Sequence, residues 1–262
     1  MTTQGNPKET AAVEILDAHT HVDESPTLGW LDPPEALIPL LDEAGISRAV
    51  IMAYSDLPGP RPEAFEYVAG AVARYPDRLW AFIRLTPRHP EEAKRLLIHA
   101  IRERGFVGLK LHPVSFALPP GHPLVVDLIR TAATLAVPVL FHSGDDGQST
   151  PLEIAPAAAA CPEATIILGH MGGYFHTADA IAVARASPNI YLETSAMPYP
   201  GAIRDAVRAI GPERVLFGSD GPGCQPALEV EKVRRAGLSD AEQVLVFGRN
   251  LRRLLRRLGA TS

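Results

Sequence analysis

Cysteine is nearly absent from this 262-residue chain. Cys161 and Cys224 stand far apart without C-x-x-C spacing, which argues against a disulfide framework and a thiolate zinc site and predicts a reducing, cytoplasmic compartment. Basic surplus is missing too: Lys and Arg number 25 against 30 Asp and Glu, and the formal net charge is -5, so no nucleic-acid partner is expected. No apolar run approaches the roughly 18 residues that cross a bilayer, and residues 1–12 (MTTQGNPKETAA) lack the apolar stretch of a signal peptide. No membrane association is expected. No G-x-G-x-x-G follows the first predicted strand, which counts against a dinucleotide-binding fold.

What the chain does have is 46% hydrophobic residues, enough for a substantial core. Short aliphatic and β-branched runs predict strands at 13–19, 48–54, 79–85, 107–112, 138–142, 165–170, 189–195 and 214–220. Segments of helical spacing, many with Pro near their start, fill 34–44, 62–75, 91–104, 123–136, 151–160, 177–186, 201–210 and 239–258. Eight alternating units predict an α/β fold, a single-domain (β/α)8 TIM barrel over 13–260 behind a flexible tail at 1–12.

In such a barrel the chemistry belongs at the C-terminal strand ends. His19 and His21 end the first predicted strand, His112 the fourth, His142 the fifth, His170 the sixth and Asp220 the eighth. Residues i and i+2 of a strand face one side, so the H-T-H spacing presents two imidazoles to one point. With His142 and Asp220 they make an N3O set suited to one divalent ion, Zn²⁺ first, with Mn²⁺ or Fe²⁺ as alternatives. Asp17, on the same alternation but deeper, reads as a supporting residue. His170 is the candidate general acid/base. His89, His99 and His122 read as surface or helix-cap residues, and His176 as a possible neighbour of the mouth.

The motifs D-A-H-T-H, G-L-K-L-H-P, V-L-F-H-S-G, L-G-H-M-G-G, N-I-Y-L-E-T-S, V-L-F-G-S-D-G-P and F-G-R-N-L-R-R-L-L, in this order, resemble the amidohydrolase superfamily, specifically its amidohydrolase-related branch of hydrolases, lactonases, hydratases and metal-dependent decarboxylases. The resemblance implies a distorted barrel, a metal held by His19, His21, His142 and Asp220, His170 at the substrate or activated water, and Asp220 as proton acceptor in hydrolytic members. Binuclear members carry a carboxylated lysine on the fourth strand; Lys110, beside His112, is read here as a buried charge orienting neighbours or substrate.

Around the site, Arg84 is a candidate clamp for a substrate carboxylate or a rim ion pair, and Trp30 and Tyr54 are candidate apolar walls. The G-D-D-G turn at 144–147 reads as solvated, and Cys224 has no base to activate it. The closing segment places Val244, Phe247, Leu251, Leu254, Leu255 and Leu258 on one helical face with arginines opposite, an amphipathic helix packed on the barrel. The resulting expectation is a metal-dependent hydrolase of an ester, lactone or amide bond in a small, anionic, carboxylated molecule, using metal-activated water with Asp220 accepting its proton. A non-oxidative decarboxylase of an aromatic or unsaturated acid is the alternative, a non-catalytic binding barrel the third reading, and a homodimer a possible assembly.

Overall fold

The computed structural model describes residues 13–25, 29–145 and 147–256. The predicted tail at 1–12, Asp146 of the G-D-D-G turn, Arg257 and Leu258 lie outside the described residues. The first strand, β1 (Ile15–His21), is followed by a small antiparallel hairpin, β2 (Asp23–Ser25) and β3 (Trp30–Asp32). Seven further strands run β4 (Ile46–Met52), β5 (Leu79–Arg84), β6 (Gly108–Leu111), β7 (Val139–Phe141), β8 (Ile166–Leu168), β9 (Ile190–Glu193) and β10 (Val215–Leu216). With β1 they form one parallel sheet in the order β1-β4-β5-β6-β7-β8-β9-β10. These strands are almost continuously apolar because both of their faces are covered, one by helices and one by the barrel interior.

The two edges of the sheet meet beyond the formal end of β10. Ala18 N donates to Phe217 O at 3.0 Å, Asp220 N to His19 O at 2.7 Å and His21 N to Gly221 O at 2.7 Å. Asp17 pins the same seam, its Oδ1 accepting from His19 N at 3.0 Å and from Ser219 N at 2.9 Å. The result is a distorted (β/α)8 barrel in which the first and last strand segments fix each other and carry His19, His21 and Asp220 together.

Asp17 does not share the face of His19 and His21. Asp17 pairs with Ala49 and Thr20 with Ile51, three steps on β1 against two on β4, and this extra residue is a β-bulge that reverses the alternation. Periodicity alone put the three residues in phase; the bulge turns Asp17 to the seam.

The helices are α1 (Pro34–Ala44), α2 (Ala64–Arg74), α3 (Pro90–Glu103), α4 (Pro113–Phe116), α5 (Pro123–Thr134), α6 (Pro151–Ala160), α7 (Thr177–Ala186), α8 (Pro200–Ile210), α9 (Pro226–Arg234), α10 (Asp240–Val244) and α11 (Asn250–Arg256). Helix α9 was not expected, because P-A-L-E-V-E-K-V-R has too many charges for a clear apolar stripe. The predicted helix at 239–258 is broken: α10, with its Ser239–Glu242 capping box, passes through a π-helical turn at Leu245–Arg249 into α11. That turn shifts the buried face, so Val246 rather than Val244 is buried. Leu251, Leu254 and Leu255 of α11 then pack with Leu16, Ala18, Val50, Met52, Trp80, Phe82, Leu140, Ile167 and Leu216, the inward residues of the strands. The barrel floor is therefore closed by α11, and its mouth is left for polar side chains. No helix among the described residues is long and apolar enough to cross a membrane.

Candidate metal centre

Two of the key side chains sit just outside regular strands. Residues 169–172 form a tight turn after β8 with His170 at φ 61, and Asp220 leaves the β10 segment at φ 59. Non-glycine residues seldom occupy this left-handed region, and local strain of this kind concentrates at functional sites. The expected strands at 165–170 and 214–220 were too long for this reason.

His19 Nε2 and His21 Nε2 lie 3.5 and 3.2 Å from Asp220 Oδ1. These three residues offer one ligand atom each within 4.8 Å of one another, an N2O set of the type that binds borderline divalent ions. Burial pulls the ionisation of both imidazoles below the usual histidine range, and the neutral ring it favours is the form that donates a lone pair to a cation. At Asp220, burial works against the charge, but the surrounding imidazoles outweigh it and hold the carboxyl well below its usual range. The donor set thus fits a divalent cation.

His142 lies outside this three-residue convergence. Its Nδ1 is 3.1 Å from His170 Nε2, its Nε2 is 2.8 Å from Asp145 Oδ2, and its ring stacks on His112 with centroids 4.0 Å apart. His170 is buried, its ionisation lowered to about 4 chiefly by that burial. Lys110 Nζ is 2.8 Å from His19 Nε2, and burial lowers Lys110 to about 7. A cation and the Lys110 amine would therefore compete for one imidazole lone pair.

Above these groups opens a cavity of about 230 Å3 lined by His21, Trp30, Tyr54, Arg84, Lys110, His112, His142, His170, Asp220 and Gly223. One wall is an aromatic column, with His21 stacked on Tyr54 and Tyr54 on Trp30, each pair at 4.4 Å. Trp30 belongs to β3 rather than to a loop. On another side Arg84 is neighbour to Lys110 across β5 and β6. Its Nε is held by Asp56 Oδ1 at 2.6 Å, and Ser115 Oγ donates to the other Asp56 oxygen.

Two residues without an expected role belong to the site. Asp145, in the turn read as solvated, holds His142. Glu193, at the end of β9, accepts from His19 Nδ1 at 2.9 Å. The signal for Glu193 was a single carboxylate at the end of an otherwise apolar strand. Elsewhere, His122 accepts from Leu124 N as a helix cap, His176 precedes α7 outside the cavity lining, and burial raises the Cys224 thiol to about 11, which disfavours the nucleophilic thiolate.

The amidohydrolase family model matches residues 16–257, nearly the whole barrel. The chain belongs to the amidohydrolase family. Among curated proteins, this family member resembles a gamma-resorcylate decarboxylase from Polaromonas sp. (strain JS666 / ATCC BAA-500), 24% identical over 257 residues covering 73% of this chain and 78% of that one. Its fold matches a dihydroxybenzoic acid decarboxylase from Polaromonas sp. JS666, solved with bound manganese and the inhibitor 2-nitroresorcinol (TM-score 0.72, 21% identity, 94% of this chain and 97% of that chain). It also matches a probable 2-pyrone-4,6-dicarboxylic acid hydrolase from Acinetobacter baumannii with citric acid bound (TM-score 0.70, 18% identity, 93% and 99%). Among these relatives, then, both decarboxylation and hydrolysis are represented on this barrel.

Proposed function

We propose that this chain is a metal-dependent, non-oxidative decarboxylase of a small aromatic acid. The observation that carries the reading is the make-up of the cavity, with a metal-type donor set beneath it, a flat aromatic wall on one side and cations on another. That combination suits a planar acid better than an open-chain ester or amide, and the decarboxylase relatives support it over the hydrolase first expected. Manganese, bound by one of those relatives, replaces zinc as the favoured ion.

His19, His21 and Asp220 would hold the ion, with His142 as the fourth ligand. The chemistry it supplies is Lewis acidity toward the oxygen substituents of the acid. Arg84, fixed through Nε by Asp56, offers its remaining N–H groups to a carboxylate or phenolate. Trp30 and Tyr54 bound the plane of the ring. The bond from ring to carboxylate breaks, its electron pair stays on the ring carbon, carbon dioxide leaves and a proton takes its place. His170 is the side chain assigned to exchange that proton, at Nε2.

The deciding assay restores Mn²⁺ to the purified chain and offers a panel of hydroxybenzoates beside a panel of lactones. Release of carbon dioxide from the hydroxybenzoates is expected. Lactone hydrolysis without any carbon dioxide would return the reading to hydrolysis, the second reading that the pyrone-hydrolase likeness supports.

A further inference from the structure

We propose that Glu193 is a positioning residue that sets the tautomers of two histidines at once: His19 directly and His170 through Ser195. Glu193, Ser195 and His19 are fully buried. Four donors converge on the one carboxylate. Ser195 N donates to Oε1 at 2.5 Å, while Oε2 accepts from His19 Nδ1 at 2.9 Å, Ser195 Oγ at 2.8 Å and His170 N at 3.3 Å. Two of the four are backbone N–H groups, which can only donate.

The direction of each bond then follows. With Glu193 ionised, His19 carries its proton on Nδ1, which leaves the Nε2 lone pair toward Lys110 Nζ at 2.8 Å and Asp220 Oδ1 at 3.5 Å. Ser195 spends its only hydroxyl proton on Glu193, so toward His170 Nδ1, 2.9 Å away, its oxygen can only accept. His170 is thereby held as the Nδ1–H form with Nε2 turned to His142, the atom to which proton exchange was assigned above. A ring nitrogen tied down in this way fixes both the tautomer and the angle of a histidine.

The surroundings are shaped for this carboxylate. A Cβ at Gly218 would lie 2.2 Å from Glu193 Oε1, so only glycine leaves room for it as the chain exits β10. On the other side Gly169 stands over His19, and a Cβ there would meet Phe141 O at 2.8 Å. From α9, Lys232 Nζ donates to Thr194 O at 2.7 Å and holds the backbone between Glu193 and Ser195. Burying a carboxylate is costly, and the four donors converging on Glu193 offset that cost.

The inference rests on the assignment of His19 as a ligand in the proposed function, but its main readouts need no substrate. Two variants separate the two arms. In Glu193→Ala the Nδ1–H of His19 loses its acceptor, so the Mn²⁺ dissociation constant, measured by calorimetry, should rise about 10- to 100-fold, the usual loss for a supporting partner of a metal-binding histidine. Long-range ¹H–¹⁵N spectra of the metal-free chain should show His19 losing its Nδ1–H preference. In Ser195→Ala, His19 stays held and the Mn²⁺ constant should stay within about two-fold, while His170 loses its Nδ1–H form. Once a substrate is in hand, the same variant should lower kcat with little change in KM.

Unchanged Mn²⁺ affinity and unchanged His19 spectra in Glu193→Ala would overturn the inference, as would an unaltered His170 tautomer in Ser195→Ala. If Glu193→Ala does not fold, the Ser195→Ala spectra decide alone. Loss of tautomer control in a chain that hydrolyses lactones would sink the decarboxylase reading and keep this one.

Discussion

Asp17 offers a direct test of how the barrel is closed. In Asp17→Ala, the N–H groups of His19 and Ser219, both buried at the seam, lose the one oxygen that accepts from them. Each orphaned buried donor costs about 1–3 kcal/mol, so the variant should lose about 2–6 kcal/mol, a large share of the roughly 5–15 kcal/mol that holds a typical domain together. Asp17→Asn is the matched control. Both bonds fall on Oδ1, and Oδ2 is buried with no partner among the described residues, so an amide oxygen can replace the working atom. Equilibrium urea unfolding at fixed pH, read as the shift in midpoint at constant slope, measures both. Asn should retain most of the stability that Ala loses. Because the seam also carries His19 and Asp220, Mn²⁺ stoichiometry should fall in Asp17→Ala before unfolding is complete. A loss below about 1 kcal/mol in Asp17→Ala, or equal losses in the two variants, would refute the account of the seam.

Three further outcomes are expected. Leu251→Ala, which removes a buried side chain from the floor of the barrel, should cost about 2–5 kcal/mol in the same unfolding assay while leaving Mn²⁺ stoichiometry at the folded baseline unchanged. Arg84→Lys keeps the charge but not the planar fork, so KM for the acid should rise about ten-fold with a smaller change in kcat; an unchanged KM would remove Arg84 from substrate binding. His142→Ala should lose bound Mn²⁺ on gel filtration, whereas His170→Asn should keep the ion and lose turnover; full occupancy in His142→Ala would remove His142 from the ligand set.

The barrel was legible because its strands are short aliphatic runs buried on both faces, a pattern that survives without any knowledge of their partners. The placement of the candidate site was legible where it followed the rule that polar groups collect at strand ends, as at His19 and His21, which meet Asp220. What escaped was set by geometry between distant segments. Nothing local in D-A-H-T-H marks the bulge against β4 that turns Asp17 to the seam. No propensity forecasts His170 and Asp220 in the left-handed region, since tertiary contacts impose it. Glu193 looked like one charge in a buried strand, and its role depends on His19, 174 residues away along the chain. The π-helical turn at Leu245–Arg249 escaped because a smooth 3.6-residue period fits the flanking helices equally well.

The seam also bears on how the chain reaches this state. Asp17 and Ser219, which it joins, are 202 positions apart, so β1 has to wait for almost the entire polypeptide before its second neighbour arrives. Until then one side of β1 offers unpaired amides to any other strand, and the leucines of α11 that seal the floor come later still. Closure of this barrel is consequently a late event of high contact order, and partly made chains expose the edge on which misassembly begins.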